Sequence, residues 1–395
     1  LIFRITNLKL RMFKILKLSY FLRLAVFLLF PFFSFSQEKE EKEKPKLELG
    51  GAVRFNYINS SWKEEQKTKG GEFGYDMIAI KPKASYKGVF LNAEYRFYSE
   101  AFGGGFLKQG WVGYKFNEKN QIHAGLVYVP FGIQQYNSNN WFFNITYYVG
   151  LEDDHDMGFK YIHEDENFEY AFAFFKNAEE LNFVGGQENN SSRYAYDVVG
   201  RNKETNQVNG NFVWKFGGHV NHRMGFSAQY GQLYNLDTKE NGDHYAFALH
   251  YEVYYHDWNF KISLNHVAHN PENGEDSSND ILQMGAYGTP YEIAADFDIY
   301  TLSASRKFDI NWGPFEKIEA YNDFGWMRKK KDEFDSSLMN VTGFKITAGN
   351  LLTFVDYAAG YNHSWLGGNF VDDFSTGTPG AKWEARFNIN VGYYF

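Results

Sequence analysis

The densest group of potential metal ligands in this sequence is the run Glu152-Asp153-Asp154-His155-Asp156. Carboxylate oxygens bind hard cations such as calcium, and a histidine nitrogen could join them around a softer metal. The spacing of these residues does not match the ligand positions of an EF-hand loop. We therefore expect an acidic rim that faces solvent or a pore, with no bound metal and no cofactor.

The histidines do not form a catalytic pattern. The chain has 11 of them, they are scattered, and most fall near the ends of the strands predicted below. Neither Gly-x-Ser-x-Gly nor His-Glu-x-x-His occurs in the sequence, so the usual hydrolase and zinc-protease motifs are absent. We do not expect an enzyme.

The segment 130–154 combines amide side chains with aromatic rings in a way that suits selective contact with small polar solutes. Amide donors beside aromatic faces can form a constriction that screens solutes by size and hydrogen bonding. Alternatively, the aromatic rings serve only to wedge the segment against a neighbouring wall. The residues that we predict to form a constriction are Gln134, Gln135, Tyr136, Asn137, Asn139 and Trp141.

The elements that must position these residues are β-strands, because most of the chain alternates between apolar and polar residues with a period of two. The final segment shows this most clearly: alternate positions from Trp383 to Phe395 are apolar, whereas Glu384, Arg386 and Asn388 lie between them. The pattern predicts sixteen strands. They lie at 47–57, 72–86, 88–98, 106–116, 120–129, 155–163, 167–176, 205–216, 219–230, 243–255, 257–267, 291–308, 314–326, 338–348, 351–362 and 381–395.

Connections between the predicted strands alternate in length, with a short turn after every even-numbered strand and a longer loop after every odd-numbered one. Short periplasmic turns, long outer loops and an even number of strands are typical of bacterial outer-membrane barrels. The sequence therefore predicts an all-β protein: a transmembrane antiparallel barrel of sixteen strands, spanning 47–395. A secreted propeller would repeat every 40–45 residues or so, and no such repeat is present.

A barrel of this size has an aqueous lumen, and the inward-facing positions carry charges of both signs. The basic residues predicted to face the lumen are Arg54, Lys81, Lys83, Arg96, Lys115, Lys160, Lys215, Arg223, Lys261 and Arg386. The acidic residues predicted to face it include Glu94, Glu252, Asp296, Asp298 and Asp356.

Composition and the N-terminus agree with export. Aromatic residues make up 20% of the chain, cysteine is absent, and the net charge of -8 argues against nucleic-acid binding. Residues 1–36 have a basic region, a short apolar run and a small residue before polar sequence, the pattern of a cleaved signal peptide. Residues 37–46 alternate Glu and Lys and are expected to form a charged periplasmic linker.

Several short motifs resemble the phosphate-selective porin O and P family, in particular its Bacteroidetes-type members. They are Gly125 with Pro130-Phe131-Gly132, the run at 148–158, the end of the export signal Phe35-Ser36-Gln37, and the terminal Phe395. The resemblance implies a sixteen-stranded barrel, usually trimeric, in which the third long loop (130–154) folds inward. It also implies that Phe395 is the signal read by the outer-membrane assembly machinery.

These observations predict a porin in the bacterial outer membrane, in contact with lipid and lipopolysaccharide, through which small hydrophilic solutes or ions diffuse passively. The expected solutes include small anions such as phosphate. Basic lumen residues are balanced by acidic ones and form no dense basic ladder, so the sequence does not predict specificity for phosphate. Two alternatives stay open: an uptake channel with a saturable site, for example for an oligosaccharide, and a non-conducting structural barrel.

Overall fold

Sixteen strands form a closed antiparallel barrel in the computed structural model, which describes residues 44–179, 181, 191–275 and 277–395. The predicted signal peptide and nearly all of the predicted linker lie outside these residues, and Lys46, assigned to the linker, begins the first strand. The barrel strands are β1 (Lys46–Ser60), β2 (Glu72–Tyr86), β3 (Val89–Phe97), β4 (Gly105–Lys115), β5 (Asn120–Tyr128), β6 (His155–Glu164), β7 (Phe168–Asn177), β9 (Asn202–Gly217), β10 (Asn221–Asn235), β11 (Asn241–Tyr255), β12 (Trp258–Asn270), β15 (Asp296–Trp312), β16 (Phe315–Lys329), β17 (Ser337–Ala348), β18 (Leu351–Tyr361) and β19 (Glu384–Tyr394).

Each barrel strand pairs with its neighbours along the chain, and β1 pairs with β19 to close the cylinder. This confirms the predicted sixteen-stranded barrel. Short turns join the strands at one end, whereas the connections at the other end, named L1 to L8 here, are mostly longer. The eight loops are L1 (61–71), L2 (98–104), L3 (129–154), L4 (178–201), L5 (236–240), L6 (271–295), L7 (330–336) and L8 (362–383).

Three further strands form a small separate sheet from L4 and L6: β8 (Asp197–Val198), β13 (Ile281–Ala286) and β14 (Thr289–Ala294), in the order β14-β13-β8. The sequence prediction was wrong here, because it merged 291–308 into one barrel strand. The hairpin turn between β13 and β14 has positive φ at both Tyr287 and Gly288, the geometry of a tight two-residue hairpin. The chain thus turns back within L6 before it enters the barrel as β15.

Short helices lie within three of the loops. The helix α1 (Glu64–Lys69) lies in L1, a 3-10 turn (Glu100–Phe102) lies in L2, and α2 (Ile145–Tyr148) lies in L3. No helix in the described part of the chain is both long enough and apolar enough to cross a membrane.

The outer face of the barrel is apolar along its strands. Large side chains such as Phe172, Leu249 and Leu302 are more than half exposed, and their inward neighbours along each strand are small or polar. Lipid provides no partners for unpaired backbone groups, so a closed barrel with an apolar exterior is one of the few architectures that can span it.

The loops fill much of the lumen on one side. L3, the small sheet and L8 share one buried apolar cluster with the inner wall of β15 to β18, and its members include Tyr148, Tyr291, Leu366 and Phe374. Phe297 and Ile299 on β15 face inward to join this cluster, with both side chains fully buried. Their neighbours Asp296 and Asp298 consequently face outward, which corrects the prediction that these two carboxylates line the lumen.

Candidate pore and its lining

A cavity lies in the lumen between L3 and the inner walls of β1 to β4 and β17 to β19, and β11 and β12 also contribute to its lining. Its volume is about 1230 Å³. This space is the candidate pore, because it is bordered by a loop on one side and by polar strand positions on the other.

L3 crosses the lumen and is fastened to the wall by two carboxylates. Asp323 on β16 accepts hydrogen bonds from the backbone N–H of Asn139 (2.9 Å), its side-chain amide (2.9 Å) and the side-chain amide of Asn140 (2.7 Å). Asp356 on β18 accepts from the backbone N–H of Trp141 at 3.4 Å and from the hydroxyl of Tyr321 at 2.6 Å. Charge-assisted bonds of this kind are stronger than bonds between neutral groups, so these contacts hold the tip of L3 in one position.

Five of the six residues predicted to form a constriction line the cavity: Gln134, Gln135, Tyr136, Asn139 and Trp141. Asn137 does not. Its side chain is buried and its amide donates to the Thr301 hydroxyl at 2.9 Å, on the wall of β15. Asn137 therefore anchors L3 instead of contacting the pore, and a sequence pattern of adjacent amides cannot tell these two roles apart.

The aromatic faces of L3 are largely occupied. The guanidinium of Arg54 lies over the ring of Trp141, 4.2 Å from its centroid, and Phe143 stacks on Tyr147 with centroids 4.1 Å apart. Such contacts favour the interpretation that these rings brace the loop.

The wall opposite L3 carries a ladder of ion pairs on β1 to β3. Arg54 pairs with Asp76 at 2.8 Å, and Glu94 pairs with both Arg96 at 2.6 Å and Lys81 at 3.3 Å. All five of these side chains line the cavity. These contacts with Asp76 and Glu94 hold the long basic side chains in position on the wall.

Sequence reasoning missed Lys108 on β4, which lines the same cavity. Its ammonium group pairs with Asp153 of L3 at 2.6 Å and donates to the Tyr194 hydroxyl at 3.2 Å. Burial opposes ionisation of Asp153, but Lys108 beside it keeps the pKa of this carboxyl below its ordinary value. The register of β3 and β4 shifts between Glu94 and Tyr95, and this irregularity hides the inward direction of Lys108 from a strict alternation of two.

Other predicted lumen charges lie away from the cavity. Lys115 is half exposed beside a turn, where it approaches Glu118 at 3.9 Å. Lys160 is buried and donates to the carbonyl of Tyr128 at 2.6 Å. Arg223 pairs with Glu169 at 2.8 Å and Glu252 at 3.0 Å, and Asp356 is buried beneath L3. All four are on inward-facing strand positions, but none of the four lines the cavity; of their partners, Tyr128 and Glu252 do.

The acidic run at 152–156 is not a solvated rim. All five side chains are buried, with exposures between 1% and 8%. Glu152 accepts hydrogen bonds from the backbone N–H of Asn137 and the hydroxyl of Thr146, both at 2.8 Å. Burial raises the pKa of Glu152 to about 7 despite these bonds. The run therefore forms part of the interior that holds L3, and Asp153 and His155 reach the cavity.

The charges that line the cavity do not balance. Eight are basic and five are acidic, in a chain whose net charge is -8. The basic residues are Arg54, Lys81, Lys83, Arg96, Lys108, Lys261, Lys345 and Arg386, and the acidic residues are Glu72, Asp76, Glu94, Asp153 and Glu252.

No family model and no curated protein matches the sequence. Several solved structures similar to this chain are outer-membrane proteins. They include a loop-deletion form of OmpT from Vibrio cholerae, with 12% identity and a TM-score of 0.56, and the anion-selective porin from Comamonas acidovorans, with 9% identity and a TM-score of 0.57; each match covers 89% of this chain and 100% of the other. The channel DcaP of Acinetobacter baumannii has 10% identity, covers 91% of this chain and 100% of its own, and has a TM-score of 0.54.

What the chain shares with these proteins is the porin fold, and not a particular solute. Together with the apolar exterior of the closed barrel, this fold places the chain in the outer membrane of a bacterium.

Proposed function

We propose that this protein is a porin through which small hydrophilic solutes diffuse passively, with a preference for anions. The observation that carries the proposal is the cavity of about 1230 Å³ beside L3, lined by more basic than acidic side chains. Passage through such a space needs no covalent chemistry, and selectivity follows from width, hydrogen bonding and wall charge.

The anion preference rests on how the charges are paired. Four of the five lining carboxylates have a cationic partner: Asp76, Glu94, Asp153 and Glu252. By contrast, Lys261 donates to the carbonyls of Tyr136 and Ser138, and Arg386 donates to the Ser60 hydroxyl and lies over Trp62. Within the described residues, Lys83 forms no ion pair either. These three cations give the pore an excess of positive charge, which concentrates small anions.

The same arrangement argues against strong phosphate specificity. Basic side chains on β1 to β3 alternate with carboxylates instead of forming an unbroken ladder, so a multiply charged anion would meet acidic groups at each step. We expect small anions, phosphate among them, to pass according to their size and charge.

The contacts that the aromatic rings of L3 already make disfavour a saturable oligosaccharide channel. A sugar would stack on a free ring face, but the Trp141 face holds Arg54 and Phe143 stacks on Tyr147. We therefore prefer diffusion to specific uptake.

Recording from the purified protein in a planar bilayer tests the proposal. Steady ohmic current and a reversal potential on the anion side in a potassium chloride gradient would support it. Solute-induced block with a saturating dose curve would point to the uptake channel, and a silent bilayer with correctly folded protein would point to a structural barrel; either result would overturn the proposal.

We also propose that the barrel assembles as a homotrimer. Support comes from the trimer form of OmpT from Vibrio cholerae, a structure with 12% identity to this chain and a TM-score of 0.55 over 89% of it. Native mass spectrometry in mild detergent should give three times the mass of one mature chain. A monomer under conditions that keep the barrel folded would contradict the assembly but leave the channel proposal standing.

A further inference from the structure

Three inward-facing side chains meet near the loop end of the barrel, away from the candidate pore: Glu204 on β9, His244 on β11 and His269 on β12. One potential ligand atom from each lies within 4.8 Å of the others. Nδ1 of His244 is 3.5 Å from a carboxylate oxygen of Glu204. None of the three borders the cavity beside L3.

Strand register and one glycine bring these residues together. His244 and His269 are direct partners across β11 and β12, and their rings are nearly parallel, with an interplanar angle of 5° and centroids 5.8 Å apart. Between His244 and Glu204 lies β10, where Gly231 faces His244. A Cβ atom at position 231 would lie 2.2 Å from Nε2 of His244. The glycine therefore lets the imidazole lie across β10 towards the carboxylate of β9.

His269 has the hydrogen bonding expected of a metal ligand. Nδ1 of His269 is 3.3 Å from the carbonyl oxygen of Ala295. A carbonyl can only accept, so Nδ1 carries the proton and Nε2 keeps a free lone pair. Metal-binding histidines usually donate their second ring N–H in this way. His244 is only 1% exposed, and its Nε2 has no hydrogen-bond partner among the described residues, which is a costly state for a buried polar atom.

The surroundings are rich in buried carboxyl groups. A void of about 10 Å³ beside the group is lined by Asp154, Asp197, Glu204 and His269, just large enough for one small ion or water. Asp154, Asp156 and Asp197 are all buried here. Arg193 pairs with Asp197 at 2.7 Å, but the carboxylates outnumber this cation, so a divalent ion would lower the electrostatic repulsion.

We propose that Glu204, His244 and His269 bind one divalent transition-metal ion of the zinc class, with Asp197 or a water as the fourth ligand. Two imidazoles with a carboxylate suit zinc better than calcium or magnesium, which prefer oxygen ligands. The ion would tie β9, β11 and β12 together and, through Ala295 and Asp197, hold L6 and L4 against the wall. The sequence pattern does not indicate this site, because its ligands come from three strands and have no recognisable spacing.

Titration of the folded, tag-free, chelator-treated protein with zinc chloride in a calorimeter tests the site, and cobalt(II) absorption reports its geometry. The wild type should bind one zinc per chain and give the visible bands of tetrahedral cobalt. Both signals should vanish in the His244→Gln/His269→Gln variant. His250→Gln is the matched control, because His250 is also a buried, inward-facing residue of β11 that lies against a glycine, Gly225.

Two milder variants keep the test decisive if the double variant does not fold, as judged by heat-modifiable migration on gels. Glu204→Gln removes a ligand charge while it preserves the shape. Gly231→Ala displaces His244 without removing any ligand, and it should weaken zinc binding roughly 10- to 100-fold. Absence of stoichiometric zinc binding by the wild type, or equal binding by wild type and ligand variants, would overturn the proposal. Because the site lies outside the pore, these results are independent of channel conductance.

Discussion

Individual residues in the pore differ in whether their charge is neutralised by a partner, and this difference matters more than the number of charges. Arg96 and Lys108 are held by carboxylates, whereas Lys83 is exposed on β2 and borders the cavity. An ion that passes the paired residues meets a nearly neutral surface. An ion that passes Lys83 meets a full positive charge, screened only by water and salt.

Lys83→Glu should therefore lower the ratio of anion to cation permeability by roughly two- to fivefold, the size expected for a change of two unit charges at about 6–8 Å in screened water. The reversal potential in a potassium chloride gradient measures this ratio. Lys119→Glu, which makes the same charge change in a turn outside the cavity lining, is the control. Equal shifts in both variants would mean that the overall charge of the barrel end, and not the pore lining, sets selectivity.

Glu152 should make the stability of L3 depend on pH. Its pKa is raised to about 7 by burial, from an ordinary value of 4.5. Between these two values the folded state binds more protons than the unfolded state, so the free energy of unfolding falls as pH rises from about 4.5 to 7. Glu152 accepts hydrogen bonds from Asn137 and Thr146 within L3, so we expect the loss of stability to loosen this loop.

Glu152→Gln keeps the shape of the side chain and removes its titration. Thermal unfolding from pH 5 to pH 8 should show a steeper loss of stability in the wild type than in this variant, by an amount on the order of 1–3 kcal/mol over the range. Parallel pH profiles for the two proteins would show that Glu152 does not carry the effect.

Among the elements, the barrel strands could be predicted from the sequence, but the packing of L3, the small sheet and L8 inside the lumen could not. Apolar and polar residues must alternate along a strand that lies between lipid and water, so strands such as β11 and β19 can be predicted from their own sequences. The hairpin β13–β14 packs against L3 and L8, and its burial depends on segments far away in the chain. Alternating Leu282, Met284 and Ala286 before the Tyr287-Gly288 turn was the signal that could have revealed it. The prediction that Asp296 and Asp298 face the lumen was wrong for the same reason. The apolar side chain of Phe297 can face inward because L3 and the small sheet cover it.

L3 should lose its fixed position when Asp323 is removed. Asp323→Ala leaves the amides of Asn139 and Asn140 without their acceptor, and each unsatisfied buried donor costs about 1–3 kcal/mol. Single-channel traces should then show larger fluctuations and a higher mean conductance than the wild type. Asn322→Ala, the outward-facing neighbour on the same strand, is the control. Quiet traces of unchanged amplitude in Asp323→Ala would mean that L3 is held by its apolar contacts alone.

Considered as a whole molecule, the barrel is divided into a packed side and an open side. The walls of β15 and β16 are covered by L3, the small sheet and L8, while β1 to β4 and β19 face the cavity together with parts of β17 and β18. The open side therefore contains the seam at which the first and last strands meet. Closure of the cylinder and formation of the pore depend on the same pairing of β1 with β19.

Phe395 lies at this seam. Variants at this position can separate an effect on assembly in the cell from an effect on the stability of the barrel. The backbone N–H of Phe395 donates to the carbonyl of Gly51 at 3.0 Å and its carbonyl oxygen accepts from the Gly51 N–H at 2.7 Å, whereas its ring is 63% exposed. Phe395→Ala keeps both backbone bonds and removes only the ring. If the ring is the assembly signal, this variant should refold in detergent as well as the wild type but reach the outer membrane of cells in clearly lower amounts, as measured by fractionation. Deletion of Phe395 removes the bonds as well, so it should impair refolding too. Equal outer-membrane levels of wild type and Phe395→Ala would show that the terminal ring is not recognised, and a shared refolding defect would assign its role to the seam.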